Sequence, residues 1–307
     1  MSILTRLPFT AGIAARMARK PRLFAVVRGG QMRLLMAEGW NVVWHRVIPL
    51  NPAYLEGGMI AQPRAVAAAF RAAIEQSPNP NVKEGVGAVA GYHALASIID
   101  VPRARDARPD QIIPREARRV FSYRPDSSTL SWWEVKTPGR VRRYLFVVTR
   151  RAAVQSLRDL FTMAGLDLAA VDSGPLAAAR AANLEEGIVV QAEADGGDVV
   201  VIKSGAVGIV RSAFWGDAII DQDTLAARLT DLVERAVAAH NESNPMGPLG
   251  ADAPVLVSGA GADLLEGRLA GSMGRPEGSF DTPVTLPPDF PLAELAANIG
   301  MVMRGKP

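Results

Sequence analysis

Two stretches of this 307-residue chain follow one plan, and that repetition constrains the fold more than any other feature. In the first, Phe24 to Val27, Arg33 to Met36 and Trp40 to Ile48 are short β-rich segments split by Gly29-Gly30 and by Glu38-Gly39, both turn signals. In the second, Gly187 to Gln191, Asp198 to Lys203 and Val207 to Ala213 repeat the pattern, with Gly196-Gly197 at the first turn. Each meander leads to a helix. Pro63 to Gln76 places Val66, Phe70 and Ile74 at i, i+4 and i+8 behind a proline suited to a helix start, and Asp223 to His240 spaces Leu225, Leu229, Leu232, Val233 and Val237 on one face. A chain built this way is an internally duplicated α/β fold.

Between the two stretches the elements alternate. Val86 to Ala90 and Ala94 to Val101 read as strands, Ile112 to Phe121 as a polar helix, and Ser131 to Val135 with Arg142 to Thr149 as a hairpin turning at Pro138-Gly139. Ala152 to Ala164 is a helix with Val154, Leu157, Leu160 and Phe161 on one face and Gly165 past its end, followed by strand Leu168 to Asp172 and helix Pro175 to Ala182. Near the end, Pro254 to Val257 is an apolar strand running into Ser258-Gly259-Ala260-Gly261-Ala262, and Val284 to Leu286 and Pro291 to Arg304 read as a strand and a closing helix. Trp132 and Trp133 are neighbours on a strand and face opposite ways, so one of them is expected in a core.

Several function classes fall away on composition. There are no cysteines, which removes disulfides and thiolate chemistry, and His45, His93 and His240 have no metal-binding spacing. The net charge of +3 does not announce a nucleic-acid surface. No apolar run approaches the roughly 20 residues of a membrane-spanning helix. Residues 1 to 22 carry five basic residues and no acid among apolar ones; they read as a leader, and as a candidate for peripheral contact with anionic lipid.

A duplicated meander with a glycine turn after its first strand is similar to the phosphate-clamp layout of actin-like ATPases, in which two hairpins approach the nucleotide phosphates with backbone amides and acidic strand ends hold magnesium and a water. The order of elements resembles the type IV pilus assembly protein PilM family and its relative FtsA. Glu56-Gly57-Gly58-Met59-Ile60 with Pro63 resembles that family's approach to its first helix, and Pro114-Arg115-Glu116-Ala117 with Phe121 its inserted helix. Ala164-Gly165-Leu166, Val171-Asp172, Leu176-Ala177 and Arg180-Ala181 match the family's pattern in order. Val255 to Leu264 resembles its adenosine loop, and Ala297 to Arg304 its terminal motif.

The resemblance implies an actin-like, ribonuclease H-like duplicated fold with an inserted FtsA-like 1C subdomain and a second half lacking most of subdomain 2B. The expected boundaries are a leader at 1–22, subdomain 1A at 23–81, the insertion at 82–165, a return to 1A at 166–185 and a 2A-like half at 186–307. It places a vestigial nucleotide site at Gly29, Gly30, Gly196, Gly197, Ser258, Gly259 and Gly261.

The acidic residues of that site are missing. The first loop reads Val26-Val27-Arg28-Gly29-Gly30-Gln31, without an acid, and in the second Gln191 stands for the key aspartate and Glu193 for the glycine. A divalent cation needs anionic oxygens, and a carboxylate facing the γ-phosphate without a metal repels it. Arg28 reads as a solvated arginine or an anion ligand, and Asp195 and Asp198 as turn formers or shifted ligands. The expectation is therefore a pseudo-ATPase with no catalytic residue, no metal and no cofactor, the alternative being an ATP-binding switch or weak ATPase with magnesium. Asp100 and Asp172 are the strand-end candidates for a kinase on the same fold, ranked last.

The resemblance also implies a role: a cytoplasmic scaffold of a type IV pilus or type II secretion-like inner-membrane assembly platform, binding the cytoplasmic tail of a PilN-like membrane partner between the first and inserted subdomains. Arg115, Glu116, Arg118, Arg119 and Phe121 are the candidate contacts. Self-association and contact with an assembly ATPase or platform proteins are further expected partners; nucleic acid is not.

Overall fold

The computed structural model describes residues 21–103, 108–135, 141–216, 221–243, 247–265 and 267–304. The leader, apart from Pro21 and Arg22, and the turn at Pro138-Gly139 lie outside them.

Strands β1 (Pro21–Arg28), β2 (Gln31–Glu38) and β3 (Asn41–Pro49) form the first meander. Gly29 and Gly30 have φ of +59° and +75°, the positive values that a two-residue hairpin turn demands at both central positions. A small hairpin, β4 (Leu55–Glu56) and β5 (Met59–Ile60), precedes α1 (Pro63–Glu75), whose Val66, Phe70 and Ile74 are buried as their spacing requires. β6 (Glu84–Val89) then pairs parallel to β1.

The chain next makes a separate three-stranded sheet: β7 (Ala94–Pro102), α2 (Pro109–Phe121), β8 (Ser128–Val135) and β9 (Val141–Arg150), in strand order β7-β9-β8. It returns through α3 (Arg151–Met163), β10 (Asp167–Ser173) and α4 (Gly174–Ala182). β10 pairs parallel to β6, completing a five-stranded sheet in order β10-β6-β1-β2-β3. The insertion is therefore narrower than 82–165. β6 belongs to the first sheet by its hydrogen bonds, and α3 packs Leu160 and Phe161 onto that sheet's outer face, so the inserted unit is Ala94–Arg150.

The second half repeats the plan. β11 (Glu186–Glu193), β12 (Gly196–Lys203) and β13 (Ala206–Phe214) form an antiparallel meander, and β14 (Val255–Ser258) lies parallel to β11 as β6 does to β1. Only residues 215–221 separate β13 from α5 (Gln222–Ser243), a helix capped by the Asp221 carboxylate, which accepts from Thr224 N at 2.9 Å. No added subdomain fits in that interval. α6 (Ala262–Leu265), α7 (Arg268–Ser272) and α8 (Ala296–Val302) close the fold.

Burial on both faces of both sheets explains the continuous apolar runs in their strands. Phe24 and Val26 of β1 meet Val189 of β11, Val200 and Ile202 of β12 and the alanines of α4 in a central core. Leu23, Ala25 and Val27 face α1 and α3, and Ile188, Val190 and Val199 face α5. α8 packs on α4 so closely that a Cβ on Gly300 would collide with the Ala177 carbonyl.

Three expectations change. Residues 284–286 form no strand of the second sheet; Thr285 instead exchanges hydrogen bonds with Trp40 and Val42 at the start of β3, tethering the C-terminal segment to the first half. The closing helix begins at Ala296 rather than Pro291, because the Ala293 and Glu294 carbonyls accept from Gly259 N and Arg33. Trp132 and Trp133 are both exposed, at 38% and 45%, because β8 is an edge strand with neither face fully covered.

Candidate functional site

The β1–β2 turn and the β11–β12 turn, the two hairpins that the sequence resemblance assigns to phosphate binding, meet between the halves. The chain's own charges fill the meeting point. Arg28, the last residue of β1, donates from Nε to Asp195 Oδ1 at 3.1 Å and from Nη1 to Asp198 Oδ2. The Tyr92 hydroxyl donates to Asp195 Oδ2 at 2.8 Å, and the Arg28 guanidinium lies 5.2 Å from the centre of the Tyr92 ring. On β2, Arg33 donates to Glu193 Oε1 at 2.5 Å. Arg28, Arg33, Glu193, Asp195 and Asp198 are all buried.

Arg28 is thus not solvated, and Asp195 and Asp198 are not plain turn formers: each gives one oxygen to Arg28, Asp195 Oδ2 takes the Tyr92 hydroxyl, and among the described residues Arg28 Nη2 and Asp198 Oδ1 are buried without a hydrogen-bond partner. Burial works against the Arg28 charge, but Asp198 and Asp195 outweigh it and hold the guanidinium well above arginine's ordinary pKa. Burial pushes the Glu193 carboxyl up, against the pull of Arg33 and Arg28, and pushes the Tyr92 phenol up as well.

Glu193 lies where three loops converge. A Cβ on Gly29 would sit 3.1 Å from Glu193 Oε2, one on Gly259 2.7 Å from Oε1, and Ala260 N donates to Oε2 at 3.4 Å. The extra side chain that replaces the expected glycine therefore occupies the space between the first phosphate turn and the adenosine loop.

The structure gathers the predicted glycines unevenly. Gly29, Gly196 and Gly259 border the cluster; a Cβ on Gly196 would come 3.3 Å from Arg28 Nη2. Gly30 faces Leu50, and Gly197 packs beneath Trp215 and Leu229. Ser258 is buried in the sheet, donating to Val190 O at 3.1 Å, and Gly261 N is bonded to Ala192 O. The kinase candidates are also engaged: Asp100 takes a bidentate pair from Arg143 at 2.7 and 2.8 Å, and Asp172 accepts from Arg180 at 3.1 Å.

A second feature lies on the other side of the first half. Between the inserted sheet and α4 runs a groove of about 610 Å³. Its floor is the alternating set Thr129, Ser131 and Trp133 of β8 with Val147 and Thr149 of β9; its wall is Val171 to Ser173, Leu176, Arg180, Met303 and Arg304. A further cavity of about 340 Å³ shares Trp133, Leu176, Arg180 and Met303 and extends toward Gly205. Two edge strands, β8 and β10, flank the groove; on β10 the Val171 carbonyl already accepts from Arg304 at 2.8 Å and Ser173 N donates to the Asp172 carboxylate at 2.8 Å.

The candidate partner contacts are not in it. α2 covers the opposite face of the inserted sheet, where Ile113 and Ala117 pack on Tyr144 and Phe146. Phe121 belongs to that small core, 5.8 Å from Phe146 between ring centres, and Arg119 pairs with Glu116 at 2.5 Å. Sequence reasoning missed Trp133, whose paired neighbour disguised it as a core residue.

With this geometry the class is defined: two halves that share one strand order around facing hairpin turns, the second sheet one strand shorter, make the actin-like ATPase fold. Within it the chain is similar along its length to a chain of the PilM–PilN type IV pilus biogenesis complex, with a TM-score of 0.73 and 17% identity over 94% of this chain and 99% of that one. It is also similar to the ethanolamine utilization protein EutJ from Carboxydothermus hydrogenoformans, with a TM-score of 0.52 and 13% identity over 93% and 90% of the two chains. The cytoplasmic domain of EpsL, an inner membrane component of the type II secretion system of Vibrio cholerae, matches with a TM-score of 0.50 and 11% identity over 92% and 93%. No protein-family model and no curated protein matches the sequence.

Proposed function

We propose that this protein is a cytoplasmic scaffold of a type IV pilus or type II secretion-like assembly platform that docks the tail of a PilN-like membrane partner and does not hydrolyse ATP. One observation carries the reading: the junction where the fold holds phosphates is closed by Arg28 with Asp195 and Asp198, and by Arg33 with Glu193. A nucleotide triphosphate would have to break these pairs, face buried carboxyl groups in a low-dielectric site and draw its metal ligands from Glu193, Asp195 and Asp198, each of which already accepts from an arginine.

The groove under Trp133 is larger than the cavity of about 370 Å³ that α2 residues Glu116, Arg119 and Val120 line against β13, and this reading gives the groove to the partner. An extended tail laid between β8 and β10 adds a strand at the β8 edge, with main-chain bonds for affinity and the Trp133 face for an apolar side chain. The likeness to a chain of the PilM–PilN complex and to the EpsL cytoplasmic domain supports the choice of partner and of compartment. Among the described residues no helix is long and apolar enough to cross a membrane.

Titrating the protein with a synthetic cytoplasmic tail of a PilN-like protein from the same organism, followed by fluorescence anisotropy, tests the reading. Saturable binding that Trp133→Ala weakens about thirty-fold is expected; absence of binding by the wild-type chain would refute it.

A further inference from the structure

The charge of this chain is concentrated in one subdomain. Between Ala94 and Arg150 there are 12 Lys and Arg against six Asp and Glu, whereas the whole chain has a surplus of only three, so the remainder is net acidic. α2 carries Arg115, Arg118 and Arg119 against Asp110 and Glu116, with Arg108 at its N-cap. Ile113 and Ala117 are its buried positions, and at 3.6 residues per turn Arg115, Arg118 and Arg119, with Arg108 at the N-cap, fall on the opposite side. All four are exposed. Arg119 is paired with Glu116; among the described residues Arg108, Arg115 and Arg118 form no salt bridge. Trp132, opposite Phe146 in the ladder, stands on the same sheet face and is 38% exposed. The acids on this side are Asp110, Glu116 and Glu134, of which Glu116 is neutralised by Arg119 and Glu134 accepts from the Tyr144 hydroxyl.

We propose that this face, Arg108, Arg115, Arg118 and Arg119 with Trp132 at its margin, rests on the anionic headgroups of a lipid bilayer. The partner is chosen by chemistry and shape. The guanidiniums spread along a convex helix rather than converging on a point, which suits a plane of many phosphates better than a folded acidic ligand; each can take a phosphate bidentately. An exposed tryptophan beside them belongs at the boundary between headgroups and acyl chains. The surface is distinct from the leader at residues 1–22 and from the groove, which opens on the opposite face of the same sheet. It rests on the reading of the chain as a membrane-associated scaffold, and it gives that scaffold an orientation: α2 toward the bilayer, with the groove reached around the β8 edge.

Co-sedimentation of the full chain with phosphatidylglycerol-containing vesicles and with pure phosphatidylcholine vesicles tests this. Binding to the anionic vesicles only is expected, weakened by salt. Each basic residue near such a surface contributes roughly fivefold in partition, so Arg115→Glu with Arg118→Glu should lower it roughly twenty-fold or more. The same variant should keep its circular dichroism and its binding of the partner tail, and a chain lacking residues 1–20 should still bind vesicles. Undiminished vesicle binding by the double variant, or binding to poly-glutamate with none to vesicles, would overturn the assignment. Vesicle binding that survives while the tail peptide fails to bind would support this surface and count against the groove.

Discussion

Arg33 Nη2 lies 2.5 Å from Glu193 Oε1, with the two side chains 1% and 0% exposed, so a residue of the first hairpin and one of the second are joined where neither meets water. The residues are 160 positions apart. Together with Arg28 and its aspartates, this pair converts a cleft between two halves into an internal seam, and stability there depends on charge balance rather than on a bound ligand.

Breaking that balance from one side should be costly. Glu193→Ala leaves the Arg33 guanidinium buried without its carboxylate, and a loss of about 3–5 kcal/mol in unfolding free energy is expected. Replacing both partners, Arg33→Met with Glu193→Leu, should recover most of it, because an apolar pair of similar volume carries no desolvation penalty. Urea denaturation of the three proteins reads this out; a single variant within about 1 kcal/mol of wild type would mean that the pair does not hold the halves together.

In the groove, Trp133 is 45% exposed, so Trp133→Ala should leave the denaturation midpoint nearly unchanged. Binding of the partner tail should fall about thirty-fold, the loss typical of an aromatic anchor in an interface. Anisotropy titrations of wild type and variant settle it, and equal affinities would remove the groove from consideration.

His93 sets a pH dependence. Its Nε2 lies 2.9 Å from the Gly57 carbonyl oxygen, and burial lowers its pKa below the ordinary value of about 6.5. A base whose folded pKa is depressed takes up its proton first in the unfolded chain, so its contribution is complete above the ordinary value and is lost as pH falls toward the folded one. His45 and His240 shift the same way, also by burial. Denaturation midpoints should therefore drop between neutral pH and pH about 5.5, and His93→Gln should show a shallower slope. A slope unchanged by the substitution would show that His93 titrates normally.

The frame of the fold was legible because it is written locally. Gly29-Gly30 specifies a turn by itself, and Val66, Phe70 and Ile74 declare a helix face within a dozen residues. The content of the site was not, because its partners are far apart in sequence. Nothing near Arg28 reveals that Asp195 and Asp198 lie against it, 167 and 170 positions away. The substitution of Glu193 for a glycine was visible as a loss, but not as a side chain that fills the space. Thr285 misled for the same reason: its short apolar run gave no sign that its hydrogen bonds go to β3 of the other half. Trp132 and Trp133 showed their alternation but not that their strand is an edge.

The central claim is that the phosphate site is occupied by the protein's own charges, and urea denaturation with and without millimolar Mg-ATP tests it most directly. A ligand present at about a hundred times its Kd would add about 2.7 kcal/mol to the folded state. The predicted result is an unchanged midpoint and no release of inorganic phosphate; a midpoint that rises with nucleotide concentration, or steady phosphate release, would contradict it.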